Sequence, residues 1–450
     1  MFARLLTTLS LVFAFAGCSE GPVFEYDSLP IDLQRAPTAP GGPAMGATMA
    51  RVQVGAATPL LAIDTGSLLS TLRRGDCPSP TTEPTAYSGD IQLLAASDSG
   101  APLRASFRGV TLFDLCAGAV GDANTQVAGI LGGDILLNFS VAFALPRDPS
   151  DPNQPPTMTI YSNLPASDPD LAANGYAVMR VVLRGSSVAA TASGNGLPGL
   201  PSSRVVLRVC ANPPPFSPDG SEQTCKTGEV EVQASGTNLL LALSTGHGPL
   251  VLSASAWQRL GGQVPAPLGA GEPALYSPLV ADPIPAHWAI VSRLAVVDGD
   301  SGDAWPGACA ELARGRRIEW TLANQNNGGC FQPCDVSGGV ALPAAAYLEI
   351  GSDLPAAVVS DTSDLISNLN EDFPSGAQVD GVIGAETLAG TSFQIDYVSQ
   401  SQGRWVAACE PGADRQTCWA SPRCYGLSSS GQKQMCFGLP PLGLAPNCPQ

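Results

Sequence analysis

Charged residues are scarce in this chain, and lysine and histidine are nearly absent. Of its 450 residues, 14% are Asp, Glu, Lys or Arg, and only two are histidines, His247 and His287. Two histidines provide few ligands for a catalytic metal site, and we expect no metal and no cofactor. The 39 acidic side chains outnumber the 22 basic ones, giving a net charge of −17. This balance argues against nucleic acid and anionic lipid as partners.

Long apolar segments and helical periodicity are also lacking. After the first 17 residues, no apolar stretch is long enough to span a bilayer. Short apolar runs separated by turn residues dominate instead, as in Val52–Val54, Leu239–Leu243 and Phe393–Tyr397. This pattern predicts an all-β protein with few, short helices, the best candidate being Ala254–Leu260.

The N-terminal segment predicts export. Arg4 precedes an apolar run, Leu5–Ala16, that is too short for a membrane span and is typical of a secretory signal peptide over residues 1–17. The run ends in Phe-Ala-Gly-Cys, which resembles a bacterial lipobox with Phe15 in place of the usual leucine. This resemblance implies a lipid attached at Cys18; a plain signal peptide cut near this point is the alternative.

Cysteine usage also favours an oxidising compartment. Of 13 cysteines, 12 remain when Cys18 is set aside, an even number that permits six disulfides. We predict a Cys210–Cys225 pair that closes a Pro-rich loop. Further pairs are expected within the tail, among Cys409, Cys418, Cys424, Cys436 and Cys448. Cys330 and Cys334 have the spacing of a metal knuckle, but no second Cys/His pair follows at a matching distance, so a disulfide is favoured.

Two segments of the chain repeat one another. RVQVGAATPLLAIDTG at 51–66 and EVQASGTNLLLALSTG at 231–246 align without a gap at an offset of 180 and share seven of sixteen positions. The chemical difference is that Asp64 in the first copy stands where Ser244 stands in the second. The sequence therefore predicts a duplicated architecture whose two halves differ at one acidic position.

The repeat continues downstream. GILGGDILLNFSVAFA at 129–144 matches GVIGAETLAGTSFQID at 381–396 at an offset of 252, so the second half carries about 72 more residues than the first. An apolar run that ends in an aspartate, Asp114 or Asp361, precedes each copy. We therefore expect the two aspartates to be counterparts at the ends of equivalent strands.

The loop after the first apolar strand has the features of a functional site. Gly66 allows close approach of the backbone, and the hydroxyls of Thr65 and Ser67 can donate to a buried carboxylate or stabilise the turn. An aspartate at the end of a buried strand costs free energy unless it is paired or hydrogen-bonded. Asp64 is therefore the first candidate for a catalytic or binding residue.

The D-T-G-S loop at 64–67 and the G-I-L-G segment at 129–132 together resemble one lobe of an aspartic peptidase. Residues 244–262 have the form of the corresponding loop in bacterial retropepsin-like proteins, and the resemblance covers roughly 49–408. It implies an all-β, two-lobed, pepsin-like fold of double-ψ β-barrel lobes with a cleft between them. It also implies a site of Asp64 and Ser244 supported by five loop residues: Thr65, Gly66, Ser67, Thr245 and Gly246.

Ser244 departs from the family pattern. The mechanism that the resemblance implies needs one ionised and one protonated carboxyl, which share a proton because like charges about 3 Å apart do not both ionise. A serine hydroxyl orients water or donates a hydrogen bond, but it cannot supply the acid. We therefore expect peptidase activity to be strongly reduced or absent.

Asp361 and His247 are the candidates to replace the missing carboxyl. Asp361 lies only 20 residues before Gly381, and we expect it to end an ordinary strand. His247 follows Ser244 by three residues, but the turn gives no reason for the imidazole to reach back, and no orienting carboxylate is evident. Tyr87 is the candidate for a flap residue over the cleft, with a surface turn residue as the alternative.

The sequence thus predicts a signal peptide at 1–17, a tether at 18–48, lobes at 49–165 and 166–408, and a Cys-rich appendage at 409–450. It predicts a monomeric lipoprotein of the bacterial cell envelope, at the outer membrane or cell surface. This protein would bind peptide or protein in the cleft with little or no cleavage. The alternative is an active aspartic-type endopeptidase that uses Asp64 as general base.

Overall fold

The computed structural model describes most of both predicted lobes. The described residues are 23–24, 28–36, 46–73, 85–94, 104–115, 127–136, 139–146, 155–161, 177–180, 182–184, 187–188, 200–201, 204–212, 223–226, 229–232, 236–269, 274–275, 283–297, 308–309, 318–320, 339–341, 347–370, 378–389, 391–397 and 404–408.

Strands dominate this part of the chain. The first half contains β1 (Val23–Phe24), β2 (Ser28–Asp32), β3 (Gln34–Arg35), β4 (Thr48–Val54), β5 (Leu60–Ile63), β6 (Thr71–Arg73), β7 (Thr85–Leu94), β8 (Arg104–Leu115), β9 (Gly129–Leu131), β10 (Ser140–Leu145) and β11 (Thr157–Tyr161). The second half contains β12 (Ala177–Arg180), β13 (Val182–Arg184), β14 (Ser187–Val188), β15 (Leu200–Pro201), β16 (Arg204–Ala211), β17 (Gln223–Lys226), β18 (Glu229–Val232), β19 (Thr237–Ser244), β20 (Leu250–Ser253), β21 (Ala286–Val297), β22 (Ile318–Trp320), β23 (Gly339–Ala341), β24 (Tyr347–Val359), β25 (Gly381–Gly384), β26 (Thr391–Asp396) and β27 (Arg404–Ala408). Three short helices are described, α1 (Gly133–Leu136), α2 (Ala254–Arg259) and α3 (Asp364–Asn370).

Six strands of the first half close into a barrel. Their hydrogen-bonded order is β4-β5-β9-β6-β8-β7, and β7 pairs again with β4. The β5–β9 and β6–β8 pairs are parallel, and the other neighbours are antiparallel. All four side chains of β5 are buried, which explains why this strand appears as an unbroken apolar run in the sequence.

Six strands of the second half form an equivalent barrel. Their order is β16-β19-β25-β20-β24-β21, and β21 returns to pair with β16. The parallel pairs, β19–β25 and β20–β24, occupy the same two places in the order as in the first barrel. The two halves therefore share strand order and strand direction.

The strand register confirms the internal repeat. Ala62 lies opposite Ile130 in the first barrel, and Ala242 lies opposite Val382 in the second. These positions differ by the offsets of 180 and 252 that relate the sequence copies. The predicted helix is also confirmed, since α2 begins at Ala254 with Ser253 as its N-cap and Leu260 as its C-cap.

The gapless alignment of the first repeat is wrong in its N-terminal part. Met49 of β4 pairs with Ala62 as Val206 of β16 pairs with Ala242, so the counterpart of β4 is β16, at an offset of 157. Glu231, which the sequence alignment matched to this region, lies in β18. β18 belongs to an insertion between the first two strands of the second barrel, so the shared Val-Gln is a coincidence.

The expected match of Asp114 with Asp361 is also wrong. In the parallel strand pairs, Leu72 lies opposite Asp114 and Leu252 lies opposite Val358. Val358 is therefore the counterpart of Asp114. Asp361 follows two residues after the end of β24, so it does not occupy an equivalent place.

A six-stranded sheet, in the order β12-β27-β26-β10-β11-β2, joins the two halves. Ala142 of β10 lies opposite Gln394 of β26, its own counterpart at the offset of 252, so the pseudo-twofold axis passes between these strands. Phe143 and Phe393 stack beside this pair with ring centroids 5.0 Å apart. One apolar core cluster contains residues of both barrels and of this sheet.

Part of the predicted tether belongs to this architecture. Within the segment 18–48, β2 pairs with β11 at the edge of the shared sheet, and β3 pairs with β4. Leu29 and Ile31 are buried and alternate with more exposed neighbours, which is the pattern of a strand with one face on the core. Residues 28–36 therefore form strands rather than a spacer.

The predicted Cys210–Cys225 disulfide is wrong, because Cys210 is bonded to Cys309, 99 residues away, with 4.8 Å between the Cα atoms. Cys210 lies on β16 opposite Ala295 of β21, which brings the segment after β21 close to it. Cys225 lies in β17 opposite Val230 of β18. Strands β17, β18, β22 and β23 form a small sheet built from insertions into the second half.

Together, the two matched barrels and the shared sheet make an all-β, two-lobed fold of the aspartic-peptidase type. Among the described residues, no helix is long and apolar enough to cross a membrane. The D-T-G and S-T-G loops follow equivalent strands, β5 and β19, and the shared sheet holds the two barrels in a fixed relation.

Candidate functional site

Asp64 and Ser244 meet where the two barrels face each other. Asp64 follows β5 and Ser244 ends β19, and each side chain is 2% exposed. The Ser244 Oγ donates a hydrogen bond to Asp64 Oδ1 at 2.5 Å. The structure therefore brings together the two residues that the repeat placed at equivalent positions.

The two loops are interlocked through their threonines. The Thr65 Oγ1 donates to the carbonyl of Leu243 at 2.8 Å, and the Thr245 Oγ1 donates to the carbonyl of Ile63 at 2.6 Å. Each threonine Oγ1 also accepts from the backbone N–H of the other threonine at 3.3 Å. This nearly symmetric set of four bonds fixes each loop against the strand of the opposite barrel.

Asp64 Oδ1 is surrounded by hydrogen-bond donors. Besides Ser244, the backbone N–H of Gly66 donates to it at 2.8 Å and that of Gly246 at 3.3 Å. Both positions require glycine, because an added Cβ would lie 2.6 Å from Ser244 Cβ at Gly66 and 2.5 Å from Asp64 Cγ at Gly246. Oδ1 therefore accepts three hydrogen bonds from the two loops.

The expectation that His247 would not reach Ser244 is wrong. His247 Nδ1 lies 2.8 Å from Ser244 Oγ, and the imidazole is buried. Burial lowers the pKa of His247, and the nearby Asp64 carboxylate partly opposes this by raising it. The imidazole is therefore neutral at neutral pH, and its hydrogen-bonded connection to Asp64 runs through the Ser244 hydroxyl.

The direction of this hydrogen-bond chain follows from counting protons. Ser244 has one hydroxyl hydrogen, and the short contact with the Asp64 carboxylate places that hydrogen toward Oδ1. Two lone pairs would otherwise face each other between Ser244 and His247, so we assign the imidazole hydrogen to Nδ1. In this arrangement His247 donates to Ser244 and Ser244 donates to Asp64.

The two loops also differ at a second position, which lies next to the Asp64–Ser244 pair. His247 is the counterpart of Ser67 at the offset of 180, and Ser67 Oγ donates to the carbonyl of Leu69 at 2.9 Å rather than to Asp64. The second loop therefore has Ser244 and His247 where the first loop has Asp64 and Ser67.

Sequence reasoning missed two buried residues near Asp64. The Arg204 Nε donates to the carbonyl of Gly66 at 2.8 Å, and its Nη1 donates to the carbonyl of Leu369 at 2.9 Å, which ties the second barrel to the first loop. Tyr397 is enclosed in the core, and burial together with the negative charge of Asp64 raises its pKa. Two features of the sequence could have pointed to these residues: Arg204 begins the apolar run of β16, and Tyr397 directly follows β26.

The remaining sequence candidates lie elsewhere or outside the described residues. Asp361 is exposed, and its Oδ1 accepts from the backbone N–H and the hydroxyl of Ser255 at the start of α2. Tyr87 lies within β7 of the β7–β8 hairpin, opposite Leu112, rather than in a turn. Cys18 and the tail cysteines lie outside the described part of the chain. Within that part, no group of three or more His, Cys, Asp or Glu could hold a metal ion.

No family model and no curated protein matches the chain. Among solved structures, it is similar to an aspartic proteinase from Irpex lacteus, with 13% identity, a TM-score of 0.37, and coverage of 85% of this chain and 98% of that one. It is also similar to basic 7S globulin from soybean, with 11% identity, a TM-score of 0.39, and coverage of 84% and 94%. Conglutin gamma from lupine seeds gives 11% identity, a TM-score of 0.38, and coverage of 85% and 95%. Since each TM-score is below 0.5, the matched barrels and the shared sheet, and not these similarities, define the fold.

Proposed function

We propose that the protein binds peptide or protein segments in the cleft between its lobes and cleaves them slowly or not at all. The observation that carries this proposal is the Asp64–Ser244–His247 chain, in which one carboxylate receives hydrogen bonds and no carboxyl of the described residues shares a proton with it. Aspartic-type hydrolysis needs a base for water and an acid for the substrate carbonyl. Asp64 could serve as the base, but neither the serine hydroxyl nor the neutral imidazole supplies the acid.

We further propose export and attachment to the cell envelope through a lipid on Cys18, with the protein acting as a monomer. The apolar N-terminal run, the lipobox-like ending and the even number of remaining cysteines support this proposal. The Cys210–Cys309 disulfide is in keeping with an oxidising compartment. Mass spectrometry of the mature protein tests it, since a diacylglyceryl adduct on Cys18 is expected, and an unmodified N terminus further along the chain would contradict it.

A peptidase assay of the mature protein over pH 3–7 tests the missing-acid argument. We expect little or no cleavage of a denatured protein substrate by the natural protein and measurable cleavage by Ser244→Asp. Positioned acid–base groups are each worth about 10²–10⁴-fold, so the gain should be at least about 100-fold. The matched control is Ser244→Asp combined with Asp64→Asn, which has one carboxyl again and should lose the gain.

The intact D-T-G-S loop favours a second candidate, a working peptidase with Asp64 as the general base. The same assay separates the two functions. Cleavage by the natural protein that disappears in Asp64→Asn would establish the peptidase and overturn the binding-only proposal.

A further inference from the structure

The two oxygens of Asp64 have different surroundings. Oδ1 accepts three hydrogen bonds, from Gly66, Gly246 and Ser244. Among the described residues, no group donates a hydrogen bond to Oδ2, and Asp64 is 2% exposed. Oδ2 is therefore the oxygen of Asp64 whose capacity to accept a hydrogen bond the described residues leave unused.

The charge of Asp64 is not neutralised by a cation within the described part of the chain. The Arg204 Nε and Nη1 are directed at the carbonyls of Gly66 and Leu369. His247 is neutral and reaches Asp64 only through Ser244. The net charge of −17 adds a long-range preference for positive ligands.

We infer that the ligand of this cleft presents a primary ammonium group to Asp64 Oδ2, an inference that rests on the proposed function. A ligand carbonyl finds no acid at this site, since the hydrogens of Ser244 and of the glycine amides are directed at Oδ1. A hydrogen-bond donor is therefore the group that fits Oδ2. Charged donors form shorter and stronger bonds to a carboxylate than neutral hydroxyl or amide groups do.

In a peptide, this ammonium group has two sources, the N terminus and the lysine side chain. The test is a random octapeptide array attached through its C termini, with each sequence made in four forms. The N terminus is either unmodified or acetylated, and the lysines are either unmodified or acetylated. Binding of the mature natural protein is compared with that of Asp64→Asn, whose amide oxygen keeps the acceptor for Gly66, Gly246 and Ser244. Asp361→Asn, which removes an exposed charge outside the site, is the matched control.

We expect each peptide that binds to lose about tenfold in affinity when its ammonium group is acetylated, because a hydrogen bond to a charged donor is worth about that much more than one to a neutral donor. The form that loses affinity identifies the N terminus or lysine as the source. This loss should vanish in Asp64→Asn, which should still unfold in one cooperative transition, and should persist in Asp361→Asn.

Two results would overturn the inference, and they differ in what else they overturn. Peptides that bind with equal affinity in all four forms would refute the ammonium group and leave the peptide-binding function intact. If no peptide binds in any form, the proposed function itself fails, and the inference fails with it.

Discussion

Ser244 and His247 together distinguish the second loop from the first at the residue scale. The serine side chain is shorter than that of aspartate, and its hydroxyl has a single hydrogen, which it donates to Asp64. His247, which stands in the place of Ser67, donates a hydrogen bond to the serine oxygen. The two exchanges therefore form one hydrogen-bonded unit, and their reversal should be tested as a unit.

The double variant Ser244→Asp/His247→Ser recreates a D-T-G-S sequence in the second loop. We expect it to cleave a denatured protein substrate at least as fast as Ser244→Asp alone, because an imidazole hydrogen-bonded to the new carboxyl draws part of its proton away from the pair with Asp64. The measurement is initial rate against pH for both variants. A double variant slower than the single variant at every pH would show that His247 supports catalysis rather than suppressing it.

His247 should also make stability depend on pH. Because burial lowers its pKa below 6.5, the unfolded state binds the proton more tightly, and the free energy of unfolding falls as pH drops below 6.5. His247→Gln retains a donor for Ser244 but lacks this titration. Its free energy of unfolding should fall less between pH 6.5 and 5.5, by up to about 1.4 kcal/mol.

Urea denaturation at pH 5.5, 6.5, 7.5 and 8.5 checks this prediction. The free energies of unfolding of the natural protein and of His247→Gln should differ by a nearly constant amount from pH 7.5 to 8.5, because an imidazole takes up almost no proton there in the folded or the unfolded state. An equal decline of both proteins below pH 6.5 would contradict the assignment of a neutral, buried His247.

At the scale of elements, the sequence was informative where local pattern and structure coincide. β5 and β19 are unbroken apolar runs because both of their faces are buried, and the loops after them carry recognisable T-G turns. The counterpart of β4 could not be found this way, because an insertion displaced it and a chance Val-Gln match took its place. The Cys210–Cys309 bond likewise depends on how distant strands meet, which no local pattern encodes. The contact of His247 with Ser244 spans only three residues, but it depends on the conformation of the turn, which the residue types alone do not specify.

The interlocked threonines predict strong coupling between the two loops. Thr65→Val removes the donor to Leu243 and the acceptor for the Thr245 N–H, leaving two buried groups unpaired. At about 1–3 kcal/mol for each unpaired group, the cost should be about 2–6 kcal/mol, and Thr245→Val should cost a similar amount. The double variant should cost less than the sum of the two, by about 0.5–3 kcal/mol.

Chemical denaturation of the four proteins in this cycle gives the coupling free energy. Thr237→Val is the matched control, because the Thr237 hydroxyl donates to the Arg259 carbonyl in an exposed contact and should change stability by no more than about 0.5 kcal/mol. Additive losses would mean that each loop holds its conformation independently.

At the scale of the whole molecule, the shared sheet makes each lobe depend on the other. β10 and β11 come from the first half and β26 and β27 from the second, and the stacked Phe143 and Phe393 lie at the junction. Because one core cluster contains residues of both barrels, neither barrel can lose its packing without exposing the apolar surface of the other. We therefore expect the two lobes to unfold together.

The positions of the tryptophans make this cooperativity measurable. All six tryptophans follow residue 256, five of them within 166–408 and Trp419 in the C-terminal appendage, so none lies in the first barrel, whereas far-UV circular dichroism reports the strands of both barrels. Phe143→Ala, a change in the first half, should lower the free energy of unfolding by about 3–5 kcal/mol and shift both signals equally. Leu93→Ala, buried in the first barrel on β7, is the companion variant, because its effect on the fluorescence transition cannot come from loss of the aromatic stack. A fluorescence transition that stays at its original denaturant concentration in either variant, while circular dichroism becomes biphasic, would show that the lobes unfold independently.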